Sequence, residues 1–366
     1  MAPVTDATNR GEMPLRVLLT GSAHRWELGG SYLRAFAELG HEARLFDWYG
    51  RLEHWTARAP DRLSRQLLLS AARRRVAVAL VATARSWRPD LVLLLKTDDL
   101  PRAAIGLLRT ACPGTRVVAF HPDDPFNVDR LRGPSHPRAA YQMRAVDHYF
   151  IWSRRLVSRI RALGISHVSY LGFACDPEFT RPLDVIPGDR ERLGADISFV
   201  GNWDAKREAW LRPLAHAQGF SLAIWGGPDW ERRARDPRVR ACWRGGFATG
   251  DDFARAVRAS RVSLNILRPQ NETAENMRTY EIPGCGGVML AEQSEQQAAV
   301  FRPDVEAFYV RGPDDALAAV RRLLGAPPGD LERVGAAAAR RALEHTYVRR
   351  AGEIVRALAP HRPRSA

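Results

Sequence analysis

LRVLLTG (Leu15–Gly21) opens the stretch whose reading decides the fold. It is an apolar strand that ends in a glycine turn. Gly29, Gly30 and SYLRAFAELG follow as a helix whose apolar positions Leu33, Phe36, Ala37 and Leu39–Gly40 suit one buried face, and HEARLFDW supplies a second strand. Further out, LVLLLK (Leu91–Lys96), RVVAFH (Arg116–His121), HYFIWS (His148–Ser153) and HVSYLG (His167–Gly172) are short apolar runs separated by helical or loop material. Strands alternating with helices predict a parallel sheet covered on both faces. The rhythm restarts after a join rich in Pro, Gly and charge, RPLDVIPGDRERLG (Arg181–Gly194). DISFVGNW (Asp196–Trp203), SLAIWGG (Ser221–Gly227), VSLNIL (Val262–Leu267) and GVMLAE (Gly287–Glu292) are again strands between helical segments, and the chain closes in helices.

The expected fold class is therefore α/β, with two doubly wound domains facing a cleft. Ligands bind such sheets at the carboxyl ends of their strands. The expected boundaries are 15–182 for the first domain and 190–345 for the second, with 346–359 a C-terminal helix packing back toward the first. A chain of 366 residues accommodates two domains of roughly 150–180 residues. A hydrophobic fraction of 45% beside 26% charged residues is that of a soluble globular protein with material for two cores. The polar start MAPVTDATNRGEMP lacks the apolar core of a signal peptide, and VAVALVATA (Val76–Ala84) is too short to span a bilayer. The expectation is a cytoplasmic protein with loose tails at Met1–Pro14 and Pro360–Ala366; peripheral membrane association stays open. Cys112, Cys175, Cys242 and Cys285 are far apart and form no CxxC pair, so they read as free thiols and not as a zinc site or disulfide framework.

The net charge of +14 invites a nucleic-acid reading. The basic residues are nearly all arginine, spread along the chain and mixed with acids, so no nucleic-acid partner is expected. Lys96 and Lys206 are the only lysines.

Four places can carry chemistry. Gly29 and Gly30 follow the first strand and open a helix, where bare backbone can approach an anion at the helix N-terminus; this is not the GxGxxG fingerprint, and no NAD is expected. His121 ends RVVAFH and is followed by Asp123 and Asp124. It could donate to a sugar hydroxyl or act as a general base, or the Asp-Asp-Pro could simply build a turn with His121 capping the strand. The Pro122–Arg138 segment is long, polar and Pro-rich, as a binding lip would be. GNWDAKR (Gly201–Arg207) follows the first strand of the second half and offers Lys206 and Arg207 to a diphosphate. In TYEIPGCGGVML (Thr279–Leu290) a single carboxylate, Glu281, precedes a Pro-Gly break. It could pair with Arg278 three positions back, or accept two hydrogen bonds from a ribose diol near a helix begun at Asn276.

The order of these motifs resembles the GT-B glycosyltransferases of the retaining group-1 superfamily, and more nearly their CgeB-like spore-maturation branch, which is bacterial. LGGSYLRAFAELGHEARLF, VVAFH, IWSRRLVSRIRALGISHVSYLGFACDPEF, SFVGNWDAKR, NMRTYEIPGCGGVML and HTYVRRAGEIV carry the resemblance across most of Leu15–Leu358. It implies two Rossmann-like domains, a nucleotide diphospho-sugar donor held mainly by the second, and an acceptor at the first. It places Gly29, Gly30 and Gly201 near the phosphates and His121 near the transferred sugar. Lys206 and Arg207 would face the diphosphate, and Asn276, Arg278 and Glu281 the nucleotide, with Glu281 on the ribose. Retention without a protein nucleophile and without an obligate metal or cofactor is the implied chemistry. Inversion through His121 or Asp124 as base is the less favoured route. The superfamily commonly has two glutamates separated by seven residues. Here Thr273 holds the first position, with Glu272 and Glu275 out of register. Asn202 stands for a usual arginine, and Arg278 is the candidate to replace its charge. The acceptor, whether glycan, lipid-linked sugar, metabolite or protein, is not legible. A nucleotide-sugar 2-epimerase and a non-catalytic sugar-nucleotide or polyanion binder are the alternatives.

Overall fold

The computed structural model describes residues 13–57, 62–96, 100–126, 128–129, 133–134 and 136–358. Residues 1–12 of the first tail read as loose and all of Pro360–Ala366 lie outside the described residues, as do 359 at the end of the expected C-terminal helix and 127, 130–132 and 135 of the Pro122–Arg138 segment. The chain divides into two compact units. Described residues within Met1–His121, Val128–Phe150 and Ile354–Ala366 form the first, and Pro122–Asn127 with Ile151–Glu353 the second.

A six-stranded sheet uses β1 (Arg16–Gly21), β2 (Glu42–Asp47), β3 (Leu91–Leu95), β4 (Arg116–His121), β7 (His148–Ile151) and β8 (Val168–Tyr170) in the order β2-β1-β3-β4-β7-β8. The β1–β2, β1–β3 and β3–β4 pairs are parallel. Two-residue strands β5 (Val128–Asp129) and β6 (Gly133–Pro134) pair antiparallel apart from it. Position in the sheet explains each pattern. All five residues of β3 are buried because strands lie on both its sides and both faces are covered. At the edge, β2 instead exposes Glu42 and Arg44.

The helix Leu28–Glu38 buries Gly29, Gly30, Tyr32, Ala35 and Phe36, whereas Ala37 and Gly40 are exposed and Leu33 only half-buried. The inward face is thus displaced from the one the apolar positions predict. Its cause is the glycine pair. A Cβ on Gly29 would lie 3.0 Å from the Ser22 carbonyl, and one on Gly30 only 2.4 Å from that of Arg25. The helix start is therefore pressed backbone-first onto the β1 loop, and Tyr32 and Phe36, at three and seven positions from Gly29, turn inward with it.

The second unit holds a five-stranded sheet of β9 (Ile197–Val200), β10 (Leu222–Trp225), β11 (Val262–Asn265), β12 (Met289–Glu292) and β13 (Phe308–Val310), ordered β10-β9-β11-β12-β13 and parallel throughout. Ile197, Phe199, Leu211, Ile224, Leu264 and Leu290 are among its buried core. The edge strand β13 escapes sequence reading because three residues are too few to carry a period. In each sheet the first strand lies inside, flanked on its two sides by the next two strands of the chain. The switch points fall between β1 and β3 and between β9 and β11, where open α/β sheets bind ligands. Among the described residues no helix is long and apolar enough to cross a membrane.

Candidate functional site

The carboxyl ends of β9, β11 and β12 gather most of the predicted groups. β9 ends at Val200, and Gly201-Asn202-Trp203 leads to Asp204, whose carboxylate accepts the Arg207 amide at 2.9 Å and caps the helix Ala205–His216. The floor of this turn is rigid. Trp230 is fully buried and donates its indole N–H to the Gly201 carbonyl at 2.8 Å, while Trp243 does the same for Gly226 at 2.9 Å. Each tryptophan puts its apolar body in the core and its one donor on a strand-end carbonyl.

Lys206 lies on the first turn of the capped helix. Its Nζ is 2.7 Å from Glu292 at the end of β12 and 3.2 Å from Glu272 in the β11 loop. Arg207, next in sequence, is buried instead. Its Nε donates to the Ile266 carbonyl at 3.1 Å and its NH1 to that of Asn202 at 3.0 Å, with Asp204 at 3.4 Å and the guanidinium over Phe199. Burial lowers its pKa to about 10, with Arg268 and Arg278 adding to the effect and Asp204 and Glu292 opposing it. Of the two cations read from GNWDAKR, Lys206 is the one left half-buried at the strand ends; Arg207 braces the β9 and β11 loops.

Asn276 accepts the Thr279 amide at 3.0 Å and donates to Asn265 at 2.8 Å. Asn265 in turn donates to Gln297 and Thr279, so a buried polar network fixes the start of the helix Arg278–Gly284. By backbone geometry the cap falls one residue later, on Met277, whose side chain makes no cap bond; the capping oxygen is that of Asn276. Arg278 donates to the Val200 carbonyl at 3.0 Å, lies over Phe253, and hydrogen-bonds to the buried Glu281. The plainer reading of Glu281, a partner for Arg278 on one helical face, is thus realised, and Arg278 ties the pair to the end of β9.

Gly29 and Gly30 open their helix in the first unit. His121 ends β4 there, buried, with its ring stacked on Tyr149 at 6.3 Å. Asp124 accepts the Phe126 amide at 2.8 Å, which is the Asp-Pro turn read as its plainer role, and Asp123 accepts from Gln270 at 3.1 Å.

Three carboxylates near these groups were not read as site residues from the sequence: Glu292 was not singled out, and Glu272 and Glu275 stood only as out-of-register neighbours of Thr273. Glu292 ends an apolar strand as His121 does, and that shared position was the available signal. Glu272 and Glu275, three residues apart, diverge completely. The side chain of Glu272 is 56% exposed beside Lys206. Glu275 is fully buried, accepting from Tyr170 at 3.0 Å, Tyr280 at 2.8 Å and the Phe173 amide at 3.2 Å. No local pattern separates them, because two of the three partners, Tyr170 and the Phe173 amide, arrive from about a hundred residues away, and Tyr280 alone is near in sequence.

Residues 206–356 match the model of a family described as glycosyl transferase-like. No curated protein matches the sequence. Among solved structures, sucrose-phosphate synthase from Thermosynechococcus elongatus is similar with a TM-score of 0.68 at 12% identity, over 94% of this chain and 99% of that one. The trehalose-phosphate synthase from Burkholderia xenovorans gives 0.63 at 15% over 94% and 99%, and Anabaena HepE in complex with UDP-glucose gives 0.61 at 11% over 94% and 100%. The fold is GT-B. The two parallel-sheet α/β units of the GT-B architecture, read from strand rhythm, are both present, and the glycosyl transferase-like segment contains Lys206, Arg207, Asn276, Arg278 and Glu281.

Glu275 also sets a pH dependence. Burial raises its pKa to about 7, against the favourable Tyr280, Tyr170, Arg350 and Phe173 contacts. Between about pH 4.5 and 7 the folded protein keeps a proton that the unfolded chain releases, so this group's contribution to stability falls as pH rises through that window and levels off above it. His345, packed against Tyr280 and lowered to about 4 chiefly by burial and by Arg350, acts in the opposite sense. The difference between wild type and Glu275→Gln isolates the carboxylate. Thermal unfolding measured from pH 5 to 7 should show the variant gaining on wild type as pH rises, by about 2 kcal/mol over that range. A constant difference would mean that Glu275 is ionised throughout.

Proposed function

We propose that the protein transfers a sugar from a nucleotide diphospho-sugar to an acceptor hydroxyl. The observation that carries this reading is Lys206, on the first turn of a capped helix at the switch point of the second sheet and inside the glycosyl transferase-like segment. A helix N-terminus and an ammonium favour the diphosphate, most of all as charge collects on it when the bond to the sugar breaks. Glu281 takes the ribose diol, oriented by Arg278. UDP-glucose bound by Anabaena HepE, a structure of the same fold, supports a donor of this class.

In the retaining form of the reaction the C1–oxygen bond to the diphosphate breaks and the acceptor oxygen bonds to C1 from the same face. The acceptor proton passes to the departing phosphate oxygen. No protein nucleophile and no metal enter this scheme; Lys206 and the helix dipole hold the leaving group. His121 and Asp124 are the groups proposed to face the transferred sugar, and Gly29, Gly30 and Gly201 the places where backbone approaches phosphate. We assign residues 15–182 to the acceptor side and 190–345 to the donor side, and the CgeB-like branch fits Arg278 and Glu281 in NMRTYEIPGCGGVML. A cytoplasmic bacterial enzyme, associating with membranes only peripherally where its acceptor requires it, fits this assignment.

Calorimetry with UDP, GDP, dTDP and ADP in the presence of EDTA tests the reading. One nucleotide binding, with its hexose conjugate turned over and the anomer retained, supports it. Binding of none overturns it. Turnover without acceptor points to an epimerase, and binding without turnover to a sugar-nucleotide binder.

A further inference from the structure

Lys206 is held by two carboxylates that differ in every respect that matters for exchange. Glu292 has a side chain 12% exposed, lies 2.7 Å from Nζ, and is pinned by its second oxygen, which accepts the Leu267 amide at 3.1 Å. Glu272 is 56% exposed, lies 3.2 Å away, and among the described residues hydrogen-bonds through its side chain to Lys206 alone. The first is a fixed support. The second is a weak, solvent-screened ion pair, of the kind easily replaced by a better anion.

We infer that Glu272 is an exchangeable occupant of the diphosphate position, and that Glu292 is the positioning residue that keeps Lys206 aimed there while the exchange occurs. This rests on the donor reading above. The ammonium has three donors, and a diphosphate presents several charged oxygens where Glu272 presents two. With Glu272 displaced, the charge near Lys206 changes from two protein carboxylates to one carboxylate and the ligand. Gln270 and Asn271 tie the same loop to Asp123 and to the Glu275 carbonyl, so the swing falls on the Glu272 side chain rather than on the loop backbone.

The two glutamates therefore respond in opposite directions when neutralised. Calorimetric titration of the full chain with inorganic pyrophosphate and with UDP, GDP, dTDP and ADP, without metal, reads this directly. Glu272→Gln should bind the favoured diphosphate about twofold to fivefold more tightly, the size an exposed ion pair permits, and the gain should vanish in a Lys206→Ala background. Glu292→Gln should bind it about tenfold more weakly, with kcat reduced as well as KM raised because Lys206 is no longer held in place. Glu272→Gln is nearly isosteric at an exposed position and keeps the test interpretable if Glu292→Gln folds poorly. A wild type that binds a diphosphate through Lys206, combined with a Glu272→Gln variant of equal or lower affinity, overturns this inference and leaves the donor reading standing. A wild type that binds no diphosphate, or binds one independently of Lys206, overturns both.

Discussion

Lys206→Ala should lower the turnover of the favoured sugar nucleotide by about 10²–10³-fold, while nucleotide affinity falls much less. The two effects part because a diphosphate carries more charge on its bridging oxygen in the transition state than in the ground state, and an ammonium fixed at that oxygen stabilises the difference. Lys206 suits this role because its direction is imposed from outside: Asp204 caps its helix, Glu292 holds Nζ, and the Gly201 turn beneath is tied to Trp230. Removing the ammonium also leaves Glu292 and Glu272 facing the leaving group as bare carboxylates. Lys206→Arg should recover part of the rate, since charge returns without the same point geometry. Steady-state kinetics read the split; a loss confined to KM would make Lys206 an ordinary binding contact.

Glu281→Ala should weaken binding of the nucleoside diphosphate by about 10- to 100-fold, the range expected when a site built to hydrogen-bond a diol loses its acceptor. It also leaves Arg278 without its carboxylate on a largely buried helix, at a stability cost of about 1–3 kcal/mol. Affinity and stability can be told apart with a smaller ligand. Inorganic pyrophosphate has no ribose, so its affinity should be unchanged in Glu281→Ala while that of the nucleoside diphosphate falls. Equal losses for both ligands would mean that Glu281 serves only to orient Arg278.

Strand rhythm was sufficient to read two α/β units and all their main strands but β13, because burial on both faces writes itself into short apolar runs; the strand order, and with it the switch points, came only from the structure. Strands such as LVLLL and DISFV can hardly be anything else. The placement of the candidate site was legible where location follows chain position: Lys206 after the first strand of the second sheet, Asn276 before a helix and Glu281 on it. It was illegible where a side chain's direction depends on tertiary packing. Lys206 and Arg207 are neighbours of like charge, yet one lies at the strand ends and the other turns inward to two carbonyls. Glu272 and Glu275 differ in the same way, and the helical face of Leu28–Glu38 was misplaced because two glycines, not its apolar residues, decide which side approaches the sheet.

A Cβ added to Gly226 would lie 2.2 Å from the carbonyl oxygen of Gly201, the same oxygen that Trp230 holds from below. At this point the ends of β9 and β10 touch main chain to main chain, closed on one side by an indole and on the other by the absence of a side chain. Such a joint has no freedom to drift: no substitution at Gly226 can reshape the site by degrees, because the first added carbon forces the turns apart. Any change in what these strand ends can hold must therefore come around the joint, through exposed neighbours such as Asn202 and Phe247, with the floor left as it is.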